Sequence, residues 1–477
     1  MKKNNILDYE QVEKKLQKII KEGIIKETEN LGKTEHGLPI KHYIVGEGNN
    51  DIVITGATHG SEIITTDFVI KLMQEISNKN DNWKNVLKNF KIHFIPMLNP
   101  EGYLIATSAI RKLIPREMLQ DDAEKICKQY YIAYKEDDNI EINKQKLISE
   151  DDRNSNDSKK HQEMFEGIDY TCIPEKYETV RNSVKEIFEK YPDLPKWCLH
   201  IWSANGNGVD IQANSKYNPK ISKIKQDEII YMNSLRHNNI DISHPGPINC
   251  PFDKEKGFKI EKETAAISNL LDSLNKDGKL FAYLNYHSTG GIIFQRPAIL
   301  PENINISQDE MAKKEIINYM FAKLYSDKTY KNVGIDEEGK DRKEISKYTI
   351  STQNASATSS NDIFRIMYPQ DLLIELSGMG GNPIGPYGDI KGNYTNAIKS
   401  NLDAVKYTLN VASIAQIIAE ASHKIMKKLK DREDYNKVIE LEDMIYQEFS
   451  KKVEQLDKIE KDKYNKKGKN EDYDRDR

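Results

Sequence analysis

The sequence predicts an α/β protein: a mixed, largely parallel twisted sheet flanked by helices, with a charged insertion and a helical C-terminal tail. Three observations lead there. An apolar run from Ile52 to Ile54 stops at Gly56-Ala57-Thr58. A stretch with Val69, Leu72, Met73 and Ile76 at helical spacing follows, and "FKIHFIPMLNP" (90–100) then reads as a second buried strand, ended by Asn99-Pro100. Strand, helix, strand at this spacing marks a parallel unit, because parallel neighbours need a crossover connection. Ligands of such sheets collect at the carboxyl ends of the strands. His59 and the segment Asn99 to Tyr103 both fall at such ends.

The remaining elements follow in order. Residues 8–28 have the pattern of an amphipathic helix, with Val12, Leu16, Ile19 and Ile20 on one face. A hairpin is expected around His36-Gly37-Leu38-Pro39. Residues 118–195 are strongly charged ("YKEDDNIEINKQKLISEDDRNSNDSKKHQ" at the centre) and read as a surface insertion, part helical and part mobile. Order resumes at "WSANGNGVDIQAN" (202–214). The strand "LFAYLNYH" ends at His287 before a Gly-rich bend, and "DLLIELSG" carries Glu375. A helix is expected over 399–428. From about 430 a charged helix carries a thin seam of Val438, Leu441, Ile445, Phe449, Val453 and Leu456. That seam suits packing on its own domain, or a weak self-association, better than a dedicated partner. The last dozen residues should be disordered. The expected division is an N-terminal helix (1–30), a main domain (31–425) and a charged helix with tail (426–477).

Composition narrows the class. Of 477 residues, 38% are hydrophobic and 31% charged, and the 71 basic and 75 acidic residues leave a net charge of -4. That balance gives no electrostatic case for nucleic acid or an anionic membrane as partner. Four scattered cysteines form no Cys-x-x-Cys pair and read as reduced thiols. No signal peptide and no run of roughly 18 apolar residues is visible. The expectation is a cytoplasmic protein.

The chemistry starts at "THGSE". His59 and Glu62, three residues apart where a strand hands over to a helix, form a candidate metal-ligand pair. A catalytic zinc takes three protein ligands and leaves one position open. His287 is the best third ligand, with His244 in "ISHPGP" as a rival; His42, His93 and His237 look like ordinary surface or strand residues. Hydrolysis also needs a proton acceptor. Glu375 interrupts the apolar run Leu372, Leu373, Ile374, Leu376, and a carboxylate is costly to bury there without a role.

Taken together, these motifs resemble the carboxypeptidase A-type zinc metallopeptidases. His-x-x-Glu after a strand, Asn-Pro-Glu-Gly-Tyr, Gly-Val-Asp-Ile, His-Ser after a strand and Glu in "IELSG" occur in that order over residues 31–390. The resemblance implies a peptidase acting on a peptide substrate. One Zn2+ per chain would be held by His59, Glu62 and His287. Glu375 would be the general base, and Asp210 would orient His59 from behind. It further implies that Arg116 stabilises the oxyanion and that Arg111, Gln212 and Asn214 face the substrate. The segment around Glu263 resembles one that opens a family helix and reads as structural. The chain departs from the family in three places. Gln212-Ala213 stand where the digestive members carry Asn-Arg, the arginine that binds a substrate carboxylate. Arg111 and Arg116 have altered spacing, and residues 352–361 contain no tyrosine. Trp202, Ala204, Asn205, Gly208, Val209 and Asp210 are similar to a segment of the bacterial γ-D-glutamyl-diamino-acid peptidases, which cut peptidoglycan stem peptides. A catalytically degenerate binding protein and an N-acyl amino acid deacylase stay open as alternatives.

Overall fold

A computed structural model of the chain describes residues 3–78, 83–127, 129, 163–190, 192, 196–212, 214, 252–253, 257–258, 260–288, 290–294, 308–329, 331–332, 345–351, 371–376 and 393–412. The N-terminal helix α1 (Tyr9–Glu22) opens on a capping box. Asp8 accepts from the Gln11 amide, and the Gln11 side chain accepts from the Asp8 amide, which satisfies two donors that a helix start leaves open. This helix is shorter than the 8–28 expected. Gly23 leaves it in extended backbone, Ser77 Oγ fills the space a Cβ on Gly23 would need, and β1 (Lys26–Glu27) pairs into the sheet. Its apolar face of Val12, Leu16 and Ile19 is buried in the same core as the strands that follow.

The hairpin forms as expected from β2 (Gly32–Lys33) and β3 (Pro39–Ile40), turning through Gly37 at φ 89°. Next come β4 (Tyr43–Val45), β5 (Asn50–Thr55), α2 (Ile63–Ser77), α3 (Lys84–Asn89), β6 (Phe90–Ile95) and α4 (Pro100–Leu113). Asn99-Pro100 therefore starts a helix instead of ending a strand. Asn99 Oδ1 accepts from the Gly102 amide at 2.8 Å, and Pro100 sits at the first helical position, where its missing N–H costs nothing. The later elements are α5 (Glu178–Lys190), β7 (Phe252–Asp253), β8 (Gly257–Phe258), α6 (Lys262–Lys276), β9 (Leu280–Ser288), β10 (Ile292–Phe294), α7 (Gln308–Lys328), β11 (Lys331–Asn332), β12 (Ile345–Ser346), β13 (Thr349–Ser351), β14 (Asp371–Leu376) and α8 (Asn393–Ala412).

Eight strands form one mixed sheet in the order β1-β4-β6-β5-β9-β14-β10-β13. The central four, β6, β5, β9 and β14, are mutually parallel, and antiparallel pairs flank them. The parallel core with helices around it is the architecture that the sequence predicts. Strand residues alternate between the two faces. Ile52, Ile54, Ile92, Phe94, Ala282, Leu284, Leu372 and Ile374 join the larger core with α1, α2, α4 and α8. Val53, Ile95 and Tyr283 join Ala266, Ile267 and Leu271 of α6 on the other side. Along that second face the register runs on from Val53 and Tyr283 to Thr55 and Asn285, then to His287 beside Glu375. The face is apolar under α6 and turns polar at the carboxyl ends.

The charged insertion is more than a surface elaboration where it is described. Ala123, Cys127, Phe165, Ile173, Val180, Val184, Ile187 and Phe188 are all buried in the larger core, and Phe165 stacks on His200 with ring centroids 3.8 Å apart. Residues 131–162, His244, the loop 352–361 and the C-terminal segment 426–477 lie outside the described residues. The helix expected from 399 begins earlier, at Asn393. Among the described residues no helix is long and apolar enough to cross a membrane.

Candidate active site

The loop after β5 is held in one shape before any ligand arrives. Ala57 takes a left-handed backbone (φ 47°), which is strained for a residue with a Cβ. Three bonds hold it there. The Ala57 amide donates to Thr65 Oγ1 at 2.7 Å, Thr65 Oγ1 donates to the Glu62 carbonyl at 2.7 Å, and the Asn99 amide donates to the Ala57 carbonyl at 2.9 Å. His59 and Glu62 thus end up one turn apart, with Glu62 at the N-cap of α2. Its carboxylate makes no cap bond and turns to the histidines instead.

Glu62 stands between two imidazoles. His59 Nδ1 lies 2.8 Å from Oε1 and His287 Nδ1 lies 3.1 Å from Oε2. The two rings meet edge-on with centroids 4.9 Å apart. The other nitrogen of His59, Nε2, faces Asp210 Oδ1 at 3.4 Å. His287 ends up here because β9 lies directly beside β5, and Glu375 because β14 pairs with β9 so that Glu375 sits opposite His287. Neighbours in register share a face, so the half-buried Glu375 side chain stands beside the His–Glu–His group. Beyond Ser288 the chain turns through Gly291 (φ 61°) into β10, and the Gly290 amide donates to the Leu376 carbonyl at 3.2 Å.

The carboxylates draw positive charge to this point. Burial opposes a proton on His59, but the carboxylates of Glu62 and Asp210 outweigh it and hold the ring well above its usual pKa. Burial also pushes the Glu62 carboxyl up, and His59 and His287 overcome that and bring it down to about 2. Burial keeps His287 below its usual value, so it stays in the neutral form that ligates metals. Burial drives the Glu375 carboxyl well up, reinforced by the charge of Glu62 and opposed by His59.

One donor atom each from His59, Glu62 and His287 lies within 4.8 Å of the others. Two imidazoles and a carboxylate are a donor set that zinc takes in catalytic sites. The Glu62 carboxylate is enclosed between the two imidazoles, and an anion desolvated there is costly unless a cation meets it. The residues present therefore fit a divalent metal.

Other expected site residues are placed elsewhere. Arg111 and Arg116 do not approach the site: both guanidinium groups are bound to Asp8 at the start of α1. Arg111 also donates to Asn4 Oδ1 (3.0 Å), the Ile114 carbonyl (3.0 Å), Gln11 Oε1 (2.6 Å) and the Ile6 carbonyl, and Arg116 bonds Glu10 at 3.0 Å. Arg111 lies in the last turn of α4, the far end of a helix whose first turn is at the site, so these arginines fasten the N-terminal segment. Asn214 does not reach toward substrate either. Its Oδ1 accepts from the Glu261 amide at 2.8 Å and is fully buried where α6 begins. Gln212 keeps its place beside the site, its amide donating to Asp210 Oδ1 at 2.9 Å. Glu263 is buried in the first turn of α6, as its structural reading expects.

Two clusters escaped the sequence. Asn285 Oδ1 accepts from Thr55 Oγ1 (2.8 Å) and Thr58 Oγ1 (2.9 Å), tying β9 to the strand end that carries His59. His42 and His93 are not ordinary surface or strand residues. His93 bridges Asp51 Oδ1 (2.8 Å) and His42 Nε2 (2.9 Å), and His42 reaches Thr28 Oγ1 (2.8 Å) in a buried chain. An asparagine two residues before the strand-end histidine was the available signal for the first. The second joins residues far apart in sequence and left no local signal.

A family model described as zinc carboxypeptidase (peptidase M14) matches residues 12–162. That span contains His59, Glu62 and Asn99 to Tyr103, whereas His287 and Glu375 lie beyond it. Solved structures similar to the chain include bovine thrombin-activatable fibrinolysis inhibitor in complex with tick carboxypeptidase inhibitor (12% identity, covering 87% of this chain and 98% of that one, TM-score 0.45). Carboxypeptidase A from Helicoverpa armigera is similar at 14% identity (86% and 74% covered, TM-score 0.45). A metallo-carboxypeptidase from Burkholderia cenocepacia is similar at 9% identity (86% and 69% covered, TM-score 0.38).

Proposed function

We propose that the chain is a zinc-dependent peptidase of the metallocarboxypeptidase type. The observation that carries this reading is the convergence of His59, Glu62 and His287, from two neighbouring strand ends, beside the carboxylate of Glu375. The family match over residues 12–162 supports it.

His59, Glu62 and His287 would hold the zinc, which would supply Lewis-acid activation of water and of the scissile carbonyl. Glu375 accepts the proton that the attacking water loses and returns it to the leaving amine. A carboxyl whose pKa is raised by burial suits both halves of that transfer. Asp210 holds the His59 ring by Nε2 and so aims Nδ1 at the metal position. The loop bonds around Ala57 and Thr65 keep this geometry ready before substrate binds.

For substrate we propose a short peptide recognised without an arginine at position 213, with γ-D-glutamyl-diamino-acid stem peptides of peptidoglycan as the favoured class. Ala213 and the Trp202 to Asp210 segment support this choice. The test is zinc-loaded protein incubated with stem peptides, ordinary C-terminal peptides and N-acyl amino acids, with products read by mass spectrometry. Cleavage of the γ-D-glutamyl bond is expected. Hydrolysis of ordinary peptides alone overturns the substrate choice, and zinc binding with no hydrolysis of any substrate overturns the enzymatic reading.

A further inference from the structure

We infer that Asn99 is a positioning residue for the metal centre: its carboxamide holds the loop bearing His59 and Glu62 against the loop bearing Asp210. This inference rests on the metallopeptidase reading and deepens it.

Asn99 is fully buried, and its two ends do different work. Oδ1 caps α4 through the Gly102 amide at 2.8 Å. The amide nitrogen instead points away from its own helix, toward the Thr58 carbonyl (3.3 Å), the Ser203 carbonyl (3.3 Å) and the Ala204 carbonyl (3.0 Å). Thr58 immediately precedes His59. Ser203 and Ala204 begin the turn that continues through Asn205 to Asp210, where the Asn205 amide donates to the Val209 carbonyl at 3.0 Å. One carboxamide therefore binds the backbone on both sides of the His59 to Asp210 contact.

The packing around it leaves little alternative. The Gly60 amide donates to the Ser203 carbonyl at 3.2 Å, and Ser61 Oγ meets Ser203 Oγ at 3.2 Å. A Cβ on Gly60 would run into the Gly102 backbone, and one on Gly102 into the Ala204 carbonyl. Three loops thus meet at van der Waals contact, and Asn99 is the side chain that donates hydrogen bonds across all of them. Capping alone asks only for an oxygen, which serine or aspartate supplies about as well as asparagine. The amide donors are the part that capping does not explain. Loss of such outer partners costs roughly 10- to 100-fold in metal affinity in other sites.

The test compares Asn99→Ser and Asn99→Asp, which keep a capping oxygen and lose the carboxamide NH2 that spans the loops, with Thr107→Val. Among the described residues Thr107 bonds within α4, to the Tyr103 and Leu104 carbonyls. Zinc affinity is read by chelator competition and the Tm of zinc-free protein by calorimetry. Both Asn99 variants should lose roughly 10- to 100-fold in zinc affinity while folded, and Thr107→Val should lower Tm with zinc affinity unchanged. If the serine variant folds and binds zinc as the wild type does, the inference is overturned. Should the aspartate variant fail to fold, the serine variant alone decides. Wild-type protein that binds no zinc overturns the metallopeptidase reading itself, a distinct result.

Discussion

A carboxylate in a core strand is costly unless something nearby rewards its charge, and Glu375 stands among Leu372, Leu373, Ile374 and Leu376 with a histidine opposite. Its amide analogue keeps shape and volume and removes the proton acceptor. Glu375→Gln should therefore lower kcat by roughly 10²- to 10⁴-fold while zinc still binds at one per chain. Wild-type turnover in that variant would remove the base assignment. The arginines make the opposite prediction. Arg111 is mostly buried and bound to Asp8, Asn4, Gln11 and two carbonyls; Arg111→Ala leaves Arg116 on Asp8 but removes the donor to the other four acceptors, and should cost about 1–3 kcal/mol of stability. Its kcat should stay near wild type, measured on the folded fraction. Arg116 is half exposed, and its loss should cost about 1 kcal/mol or less.

At the scale of elements, four strand or helix ends meet at one point: the ends of β5, β9 and β14 and the first turn of α4. The first three were legible because each leaves a local mark. His59 follows an apolar run, His287 ends one, and Glu375 breaks one. The Asn-Pro start of α4 is legible in the sequence as punctuation but not as a helix start, since the cap depends on the Gly102 amide. The places of Arg111 and Arg116 are not legible because their partner, Asp8, lies about a hundred residues earlier in the chain, beyond any local pattern. The same limit hid the Asp51–His93–His42–Thr28 chain. Burial, with His93 adding to it, lowers the pKa of His42 to about 4, below the usual value of about 6.5. Between those values the unfolded chain binds more protons. The stability this residue contributes is therefore complete above about 6.5 and lost as pH falls through about 4. His42→Gln should flatten the stability profile across that window, as measured by urea unfolding at a series of pH values.

For the whole molecule, a buried acid on the site side of the sheet sets a second pH response. Burial, with the charges of Glu101 and Glu261 added, pushes the Glu263 carboxyl up to about 8, against the opposing pull of its own backbone amide and Asn205. The folded chain holds this proton while the unfolded chain releases it near the ordinary glutamate value of about 4.3. Stability should therefore fall as pH rises from there to about 8, by at most about 1.4 kcal/mol per pH unit. Glu263→Gln should gain on the wild type across that window and run parallel to it above; parallel curves throughout would show that Glu263 ionises normally. The response belongs to the fold as a whole because α6, which carries Glu263, covers the face of the sheet that leads to His287. The most direct measurement remains the metal content of purified protein after zinc loading and dialysis, determined by elemental analysis for wild type and His287→Ala. One zinc per wild-type chain and almost none in the variant is the expected result. Equal zinc in both, or none in either, would contradict a centre built from His59, Glu62 and His287.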